Sequence, residues 1–339
     1  MSLSNFRRIF SGIQPTGVPH LGNYLGAIRH WVELQSENKN NKDMVMFCIM
    51  DLHSYTRVQD SNEMKDNIFN MLASLLACGI NPSQSLIFQQ SQVSYHTELS
   101  WFLGCLTPVG RLTRMHQWKT KSKETKNDTN LGILSYPALM AADILLYKST
   151  HVPVGDDQVQ HMELTRDVAT LFNKTYTYTF PVPETLLTST PRISSLRDPT
   201  QKMSKSDINE NSRINLNDSP DTITNKIRKA VTDSEPYISD CLDKRHGVRN
   251  LIEILSSLSR TSNENIINKY RNTKYFTAQL KKDVTDILIS SLNNVRTEFN
   301  VLSQDKNYLE KVLVDGSFKA NELAAVTMKE VFQKIGVRR

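Results

Sequence analysis

Seven consecutive apolar residues, Met44 to Met50, run straight into Asp51-Leu52-His53. A strand that is apolar at every position, rather than at every second one, is buried on both faces. That is the condition of a parallel strand covered by helices on both sides of its sheet. Polar residues at its carboxyl end then lie where such sheets hold ligands. Neighbouring stretches agree. Ile9 to Ile13 reads as a short buried strand closed by Gln14-Pro15-Thr16-Gly17, a turn by its Pro and Gly content. Leu21, Leu25, Ile28 and Val32 recur at helical spacing, and Met64, Ile68, Met71, Leu72 and Leu75 mark a second helix stopped by Gly79 and Pro82. Leu86-Ile87-Phe88 and His151 to Val154 read as further strands. This alternation predicts an α/β fold with a doubly wound parallel sheet. Neither GxGxxG nor GxxxxGK[ST] occurs, so the usual dinucleotide and P-loop sites are excluded.

After Pro191 the pattern changes. Asp198-Pro199-Thr200 leads into Lys202-Met203-Ser204-Lys205-Ser206, a short polar piece expected to be mobile. An Asn-, Ser- and Asp-rich stretch to Pro220 follows and reads as a hinge. Beyond it the apolar spacing is helical: Ile223, Ile227 and Val231; Leu251, Leu255 and Leu258; Leu280, Val284, Leu288 and Leu292; Leu309, Val312 and Leu313; Leu323, Val326 and Val331. The 339 residues are enough for two domains. The expected division is a catalytic domain at 1–200, a lysine loop at 201–210 and an all-α domain at 211–339. A basic insertion lies at about 108–135.

Lys and Arg number 41 against 35 Asp and Glu, a net charge of +6 that permits a polyanionic partner without demanding one. Cys48, Cys78, Cys105 and Cys241 stand apart with no CxxC, which reads as reduced thiols and excludes a zinc site of the usual spacing. No apolar run approaches membrane-spanning length. Met1 to Arg8 is too short for a secretory signal and reads either as the stub of an organellar presequence or as nothing of the kind.

Several stretches can carry chemistry, each with an ordinary structural alternative. His20 to Asn23 sits at a strand-to-helix junction, where free N–H groups and the helix dipole suit a phosphate; the alternative is a plain capped turn. Lys202 and Lys205 can bring two cations to one polyphosphate, or they are solvated surface. Arg111, Arg114, Lys119, Lys121, Lys123 and Lys126, interleaved with His116 and Trp118, can track a nucleic-acid backbone and stack on a base. Otherwise they form a solvated loop ending in a flexible tip at Asn127 to Asn130. Tyr136, Met140, Asp143 and Tyr147 share a helical face. A carboxylate in so apolar a run must be hydrogen-bonded, either to a structural donor or to a polar hydrogen on an otherwise apolar ligand. Gly155 follows a strand end and could admit a ribose. Asp156 or Asp157 could cap the next helix, expected to run to Phe172.

Five of these motifs stand in one order: Gly12-Ile-Gln-Pro-Thr-Gly17, Pro19-His-Leu-Gly-Asn23, Leu139-Met-Ala-Ala-Asp-Ile-Leu-Leu-Tyr147, Val152-Pro-Val-Gly-Asp-Asp-Gln158 and Lys202-Met-Ser-Lys-Ser206. In this the chain resembles the tryptophanyl-tRNA synthetases of bacterial and mitochondrial type, class I aminoacyl-tRNA synthetases. The resemblance covers nearly the whole chain, most sharply residues 9 to 206. It implies a Rossmann-like catalytic domain with a C-terminal helical domain that reads the anticodon. It implies a homodimer that joins L-tryptophan to tRNA(Trp) through a tryptophanyl-adenylate made from ATP, with Mg²⁺ on the triphosphate. His20-Leu-Gly-Asn23 stands for the family's HIGH signature and Lys202 to Ser206 for its KMSKS signature. His20, Asn23, Lys202 and Lys205 then carry over as the catalytic set. Gln14, Pro15, Thr16, Gly22, Asn23, Gly155, Asp156, Asp157, Ile193 and Lys202, Met203, Ser204, Lys205 and Ser206 carry over as ATP contacts, with Lys121 as a further phosphate contact. Asp143 carries over as acceptor of the indole N–H, and Phe10, His53, Met140, Val152, Val154 and Gln158 as the tryptophan pocket. No metal ligand on the chain is implied. Asp156-Asp157 replaces the commoner Glu-Asp, and Ile208 stands where a proline often follows the signature's aspartate, here Asp207. Wording such as Leu86-Ile-Phe-Gln-Gln-Ser-Gln-Val93 is nearest to animal mitochondrial members, which implies the mitochondrial matrix, with the cytoplasm as alternative. The rival readings are a tyrosyl-tRNA synthetase, another nucleotidyltransferase with a histidine-glycine signature, and a catalytically idle paralogue kept as an RNA-binding protein.

Overall fold

The structure, a computed structural model, describes residues 6–38, 42–124, 129–187, 192–239 and 241–338. The presequence reading rests mostly on residues 1–5, which lie outside these, as do Asn127 and Asp128 of the expected tip. Five parallel strands, β1 (Arg8–Ile13), β2 (Met44–Ile49), β3 (Leu86–Gln89), β4 (His151–Val154) and β5 (Glu184–Leu187), form one sheet in the order β3-β2-β1-β4-β5. The chain leaves β1 toward β2 and β3, then returns to the other side of β1 for β4. The reversal opens a crevice beyond the carboxyl ends of β1 and β4. β5 has no apolar run to announce it; at the sheet edge its two middle residues are half-buried and its two end residues exposed.

The first helical stretch is α1 (Leu21–Asn23), which continues through a π-helical turn (Tyr24–Ile28) into α2 (Arg29–Glu37). Then come α3 (Asp51–Ser54), α4 (Ser61–Ala77), α5 (Tyr95–Leu106), α6 (Val109–Leu112), α7 (His116–Glu124), α8 (Leu131–Leu145) and α9 (Val159–Thr175). The helical remainder is α10 (Pro220–Arg228), α11 (His246–Ser259), α12 (Asn263–Tyr270), α13 (Thr277–Leu302) and α14 (Lys306–Ile335).

β2 shows why its run of apolar residues is unbroken. Met46 and Cys48 join a core with Phe10, Phe88, Leu99 and Tyr147 on one face of the sheet. Val45, Phe47 and Ile49 face the other way, against Trp31, Met71 and Leu72. Both faces are covered, so neither tolerates a polar residue. A third core gathers Leu280, Val284, Leu288 and Leu292 of α13 with Ile223, Ile227, Leu251 and Leu255.

The helices past residue 211 divide among these cores. α14 buries Leu309, Val312 and Leu313 on one face of the sheet and Ala320, Ala324, Met328 and Val331 on the other. It therefore crosses the edge strand β3 and covers it, which protects an edge otherwise open to pairing. Of Leu323, Val326 and Val331, Val331 is buried and Leu323 packs half-buried against the first core, but Val326 is 71% exposed. The small residues Gly316, Ala320 and Ala324 let the helix lie close on the strand. Other readings also shift. The basic stretch is helical in α6 and α7 rather than a loop, with Trp118 half-buried against the first core. Arg111 pairs with Asp167. Asn130 caps α8 through the Ile133 N–H. Neither Asp156 nor Asp157 caps α9; both form a tight 3-10 turn ahead of it, and α9 runs past Phe172 to Thr175.

A Cβ on Gly316 would stand 1.7 Å from the Ile87 carbonyl oxygen, whereas one on Gly104 would meet nothing within 4 Å. Gly316→Ala should therefore cost about 1–3 kcal/mol, the usual price of overpacking. Gly104→Ala should be neutral or slightly stabilising. Urea denaturation of both variants checks this, and equal midpoints would rule out the close crossing.

Candidate active site

A cavity of about 320 Å³ opens at the sheet reversal, at the lower end of the size typical of small-molecule sites. β1 supplies Phe10 and, past its end, Gln14; β4 supplies Val152 and Val154, followed by Gly155; α8 supplies Met140. His53 and Gln158 complete the candidates brought together there. The walls also include Trp31, Thr56, Gln117 and Tyr136. Tyr136 carried a signal, since it lies one turn before Met140. Gln117 and Thr56 gave none.

Asp143 does not line this cavity. It is fully buried beneath the wall, with Tyr147, one turn further along the helical face that begins at Tyr136. Three side chains from three other segments grip it. His53 Nε2 lies 2.8 Å from Oδ2; His96 Nδ1 and Gln90 Nε2 lie 2.6 and 2.7 Å from Oδ1. Burial pushes the carboxyl upward, but the His53 and His96 hydrogen bonds outweigh it and hold the group at about 2. Asp143 is thus an anion at neutral pH. Its donors are themselves fixed. The Leu52 N–H donates to Gln90 Oε1, and His96 Nε2 meets the Tyr147 hydroxyl at 2.9 Å. A second buried carboxylate, Asp51, accepts from Ser91 N, Ser91 Oγ and Gln89 Nε2, tying the end of β2 to the end of β3. Gln90 and His96 escape sequence reasoning because each is one polar residue in an unremarked turn or helix; Asp51 is marked by its place at the end of the apolar run, but its bonds to the end of β3 are not.

The other half of the site is cationic. Lys205 Nζ donates to the Thr16 carbonyl at 2.5 Å across 189 residues of chain, so the lysine loop lies on the turn after β1. Gly17 makes this approach possible: its φ is +85°, and a Cβ there would sit 3.1 Å from the ammonium nitrogen. The loop is less free than its polarity implies. Met203 is buried among Leu21, Leu25, Ile193 and Ile214, and its N–H donates to the Ile193 carbonyl. The side chains of Met203 and Ile193 are therefore anchors, and only their backbones could touch a nucleotide. Ser204 and Ser206 hydroxyls bond each other at 2.8 Å. The flank read as a hinge is packed too, with Ser212, Ile214 and Leu216 buried.

His20 and Asn23 form a reciprocal cap at the start of α1. His20 Nδ1 accepts from the Asn23 N–H, and Asn23 Oδ1 from the His20 N–H. Gly22 leaves room for that folded-back ring, since a Cβ would lie 3.0 Å from it. Burial, then Lys205, Arg213 and Lys202, lower His20 to about 4, so it is neutral at pH 7 and acts as a hydrogen-bonding group. Burial and Arg213 bring Lys205 down to about 7. Pro15 and Thr16 lie on the turn between the two halves. Asp156 and Asp157 are exposed at the far rim, where Asp157 Oδ2 accepts from Gln158 Nε2. The Lys121 side chain lies outside the described residues.

A family model described as tRNA synthetases class I (W and Y) matches residues 4–293. The chain belongs to that family. A tryptophan--tRNA ligase of Rickettsia conorii is 46% identical, over 97% of this chain and 98% of its own. The crystal structure of a tryptophanyl-tRNA synthetase from Mycoplasma pneumoniae superposes with a TM-score of 0.84 at 34% identity, covering 98% of each chain. A tryptophanyl-tRNA synthetase from Campylobacter jejuni, complexed with ADP and tryptophan, gives 0.81 at 30% identity, over 97% of this chain and all of its own. These relatives are bacterial and lend no support to the mitochondrial matrix. No described helix is long and apolar enough to cross a membrane.

Lys205 is largely neutral at pH 8 in the free protein. A bound polyphosphate restores the charge by attraction, so at pH 8 ATP binding should take up about one proton, and affinity should fall as pH rises through 7. Titration calorimetry in two buffers of different ionisation enthalpy measures the uptake. Lys205→Met should abolish it.

Proposed function

We propose that the chain attaches L-tryptophan to tRNA(Trp) in two steps. A tryptophan carboxylate oxygen attacks the α-phosphorus of ATP. The bond from that phosphorus to the bridging oxygen breaks, and pyrophosphate leaves with the electron pair. A terminal ribose hydroxyl of the tRNA then takes the aminoacyl group and AMP departs. The observation that carries this reading is a single turn joining an apolar cavity to a cationic cluster: Gln14 lines the cavity, and Thr16 holds Lys205. Identity of 46% to a tryptophan--tRNA ligase favours tryptophan over tyrosine.

No side chain acts as a nucleophile in this scheme. Rate comes from alignment and from charge placed where phosphate charge develops. Lys202 and Lys205 hold the β- and γ-phosphates. Neutral His20 and Asn23 serve the α-phosphate region at the helix start, and Gln14, Gly155 and the exposed Asp156-Asp157 turn serve the nucleoside side. Among the described residues no group of three or more His, Cys, Asp or Glu could hold a metal ion. The charge around Lys205 suits polyphosphate, so Mg²⁺ would arrive on the triphosphate and offset its charge there. The indole lies among Phe10, Met140, Val152 and Val154. We assign the acceptor of its N–H to Asp143 Oδ2, which takes His53 as donor and retains a lone pair; since Asp143 lies beneath the cavity wall, the His53 side of that wall must open as the indole enters.

The helices past 211 read the anticodon, and the basic α6–α7 segment tracks the tRNA backbone. The chain works as a homodimer; Trp101, Val109 and Leu131, exposed by 71, 62 and 74% on neighbouring helices, support an apolar contact face. The bacterial relatives favour the cytoplasmic alternative. Locating the tagged full chain in its cell tests the mitochondrial one.

The wild-type chain should show tryptophan-dependent ATP–pyrophosphate exchange. It should prefer tryptophan about 10²-fold or more, in kcat/KM, over the isosteric analogue with sulfur in place of the indole N–H. In Asp143→Ala that preference should collapse. Equal use of the two amino acids by the wild type would remove Asp143 from the recognition of indole.

A further inference from the structure

The segment just after the lysine loop is laid antiparallel on the turn that carries His20. His20 bridges to Asn215, the Leu21 N–H donates to the Ile214 carbonyl, and the Leu216 N–H donates to the Pro19 carbonyl. Arg213 sits in this pairing. Its side chain is only 12% exposed, and its Nε is buried with no hydrogen-bond partner. Nη1 donates to the Asp207 carbonyl at 2.9 Å, which ties the guanidinium to the end of the loop. The carboxylate beside it, Glu210, is 4.0 Å away and 81% exposed, a weak counter-ion. Ser212 Oγ and Asn215 Oδ1, on either side, are also buried without partners.

Three polar atoms within four residues are thus withdrawn from water beside Lys205 and His20. A buried guanidinium edge with no acceptor is costly unless something anionic occupies it. Arg213 also lies close enough to Lys205 and His20 to lower the proton affinity of both. Like charges are held together here by the fold, and an added polyanion would relieve their repulsion while keeping Lys205 protonated.

We infer that Arg213 is a further phosphate-binding residue of the adenylation step, presenting its guanidinium to the β- and γ-phosphates that leave as pyrophosphate. This rests on the function proposed above. A planar guanidinium can meet two phosphate oxygens with two parallel N–H donors in a fixed fork, a geometry the ammonium of neither lysine offers. Once pyrophosphate has gone, Arg213 has no partner on the adenylate, so it serves the first step and its reversal and not the transfer to tRNA.

The test uses the full chain with Arg213→Gln and Arg213→Lys. Arg213→Gln should slow tryptophan-dependent ATP–pyrophosphate exchange by about 10²-fold, the usual loss for one charge-stabilising donor. KM should rise for both ATP and pyrophosphate. Tryptophan affinity and single-turnover transfer from preformed adenylate should stay within about twofold, and Arg213→Lys should recover part of the loss. Exchange within about twofold of wild type in Arg213→Gln, or equal losses in exchange and transfer, would overturn the assignment and leave Arg213 as packing. If the wild type shows no tryptophan-dependent exchange, the functional reading itself fails. Arg213 is then judged by calorimetry with inorganic tripolyphosphate: weaker binding to Arg213→Gln than to wild type supports it, and equal binding overturns it.

Discussion

One buried charge organises the centre of this molecule. Asp143 lies on α8, and its three donors come from three other places: His53 after β2, Gln90 after β3 and His96 on α5. A carboxylate so deep in an apolar core is tolerable only when its lone pairs are met, and breaking such a set typically costs about 3–5 kcal/mol. The same contacts that satisfy the charge therefore fix the ends of two strands against two helices. They also set His53 in the cavity wall. The hydrogen bonds that stabilise the buried charge thus also position a side chain of the cavity wall.

The cationic half of the site is built on the opposite principle. Lys202, Lys205 and Arg213 converge on His20 with little acidic company. What holds them is apolar: Met203 sits in the core with Leu21 and Leu25, and Ile214 and Leu216 follow it in. Hydrophobic burial supplies the free energy that keeps like charges together, and those charges then have unmet demand for an anion. The loop's backbone is thereby positioned in advance, which lowers the reorganisation needed when a polyphosphate arrives.

Much of this was legible in the residues. The unbroken apolar run at Met44 announced a doubly covered strand, and the lysine pair and the His20 turn pointed to each other as two ends of one phosphate site. The buried position of Asp143 followed from its neighbours. Other parts left no local trace. β5 is a short edge strand whose hydrogen bonds, not its side chains, define it. Gln90, His96 and Arg213 are single polar residues whose meaning depends on what the fold brings near them. On α14 the expected Leu309, Val312, Leu313 and Val331 are buried, but Val326 is wrongly included and the small residues are missed, because Leu and Val outrank Ala on any apolar scale. Here Gly316 meets the strand backbone, Ala320 and Ala324 are fully buried, and Val326 is left in water.

α14 has one more consequence. It comes after every other described element in the chain, yet it covers the edge strand laid down more than two hundred residues earlier. During synthesis β3 emerges long before its cover, so the half-built sheet presents an open, apolar edge while the remaining helices are made. Such an edge is where nascent chains pair wrongly or attract chaperones. Folding of the catalytic core is therefore timed by its last helix, and lesions near residue 316 are expected to act on yield in the cell well before they act on the chemistry.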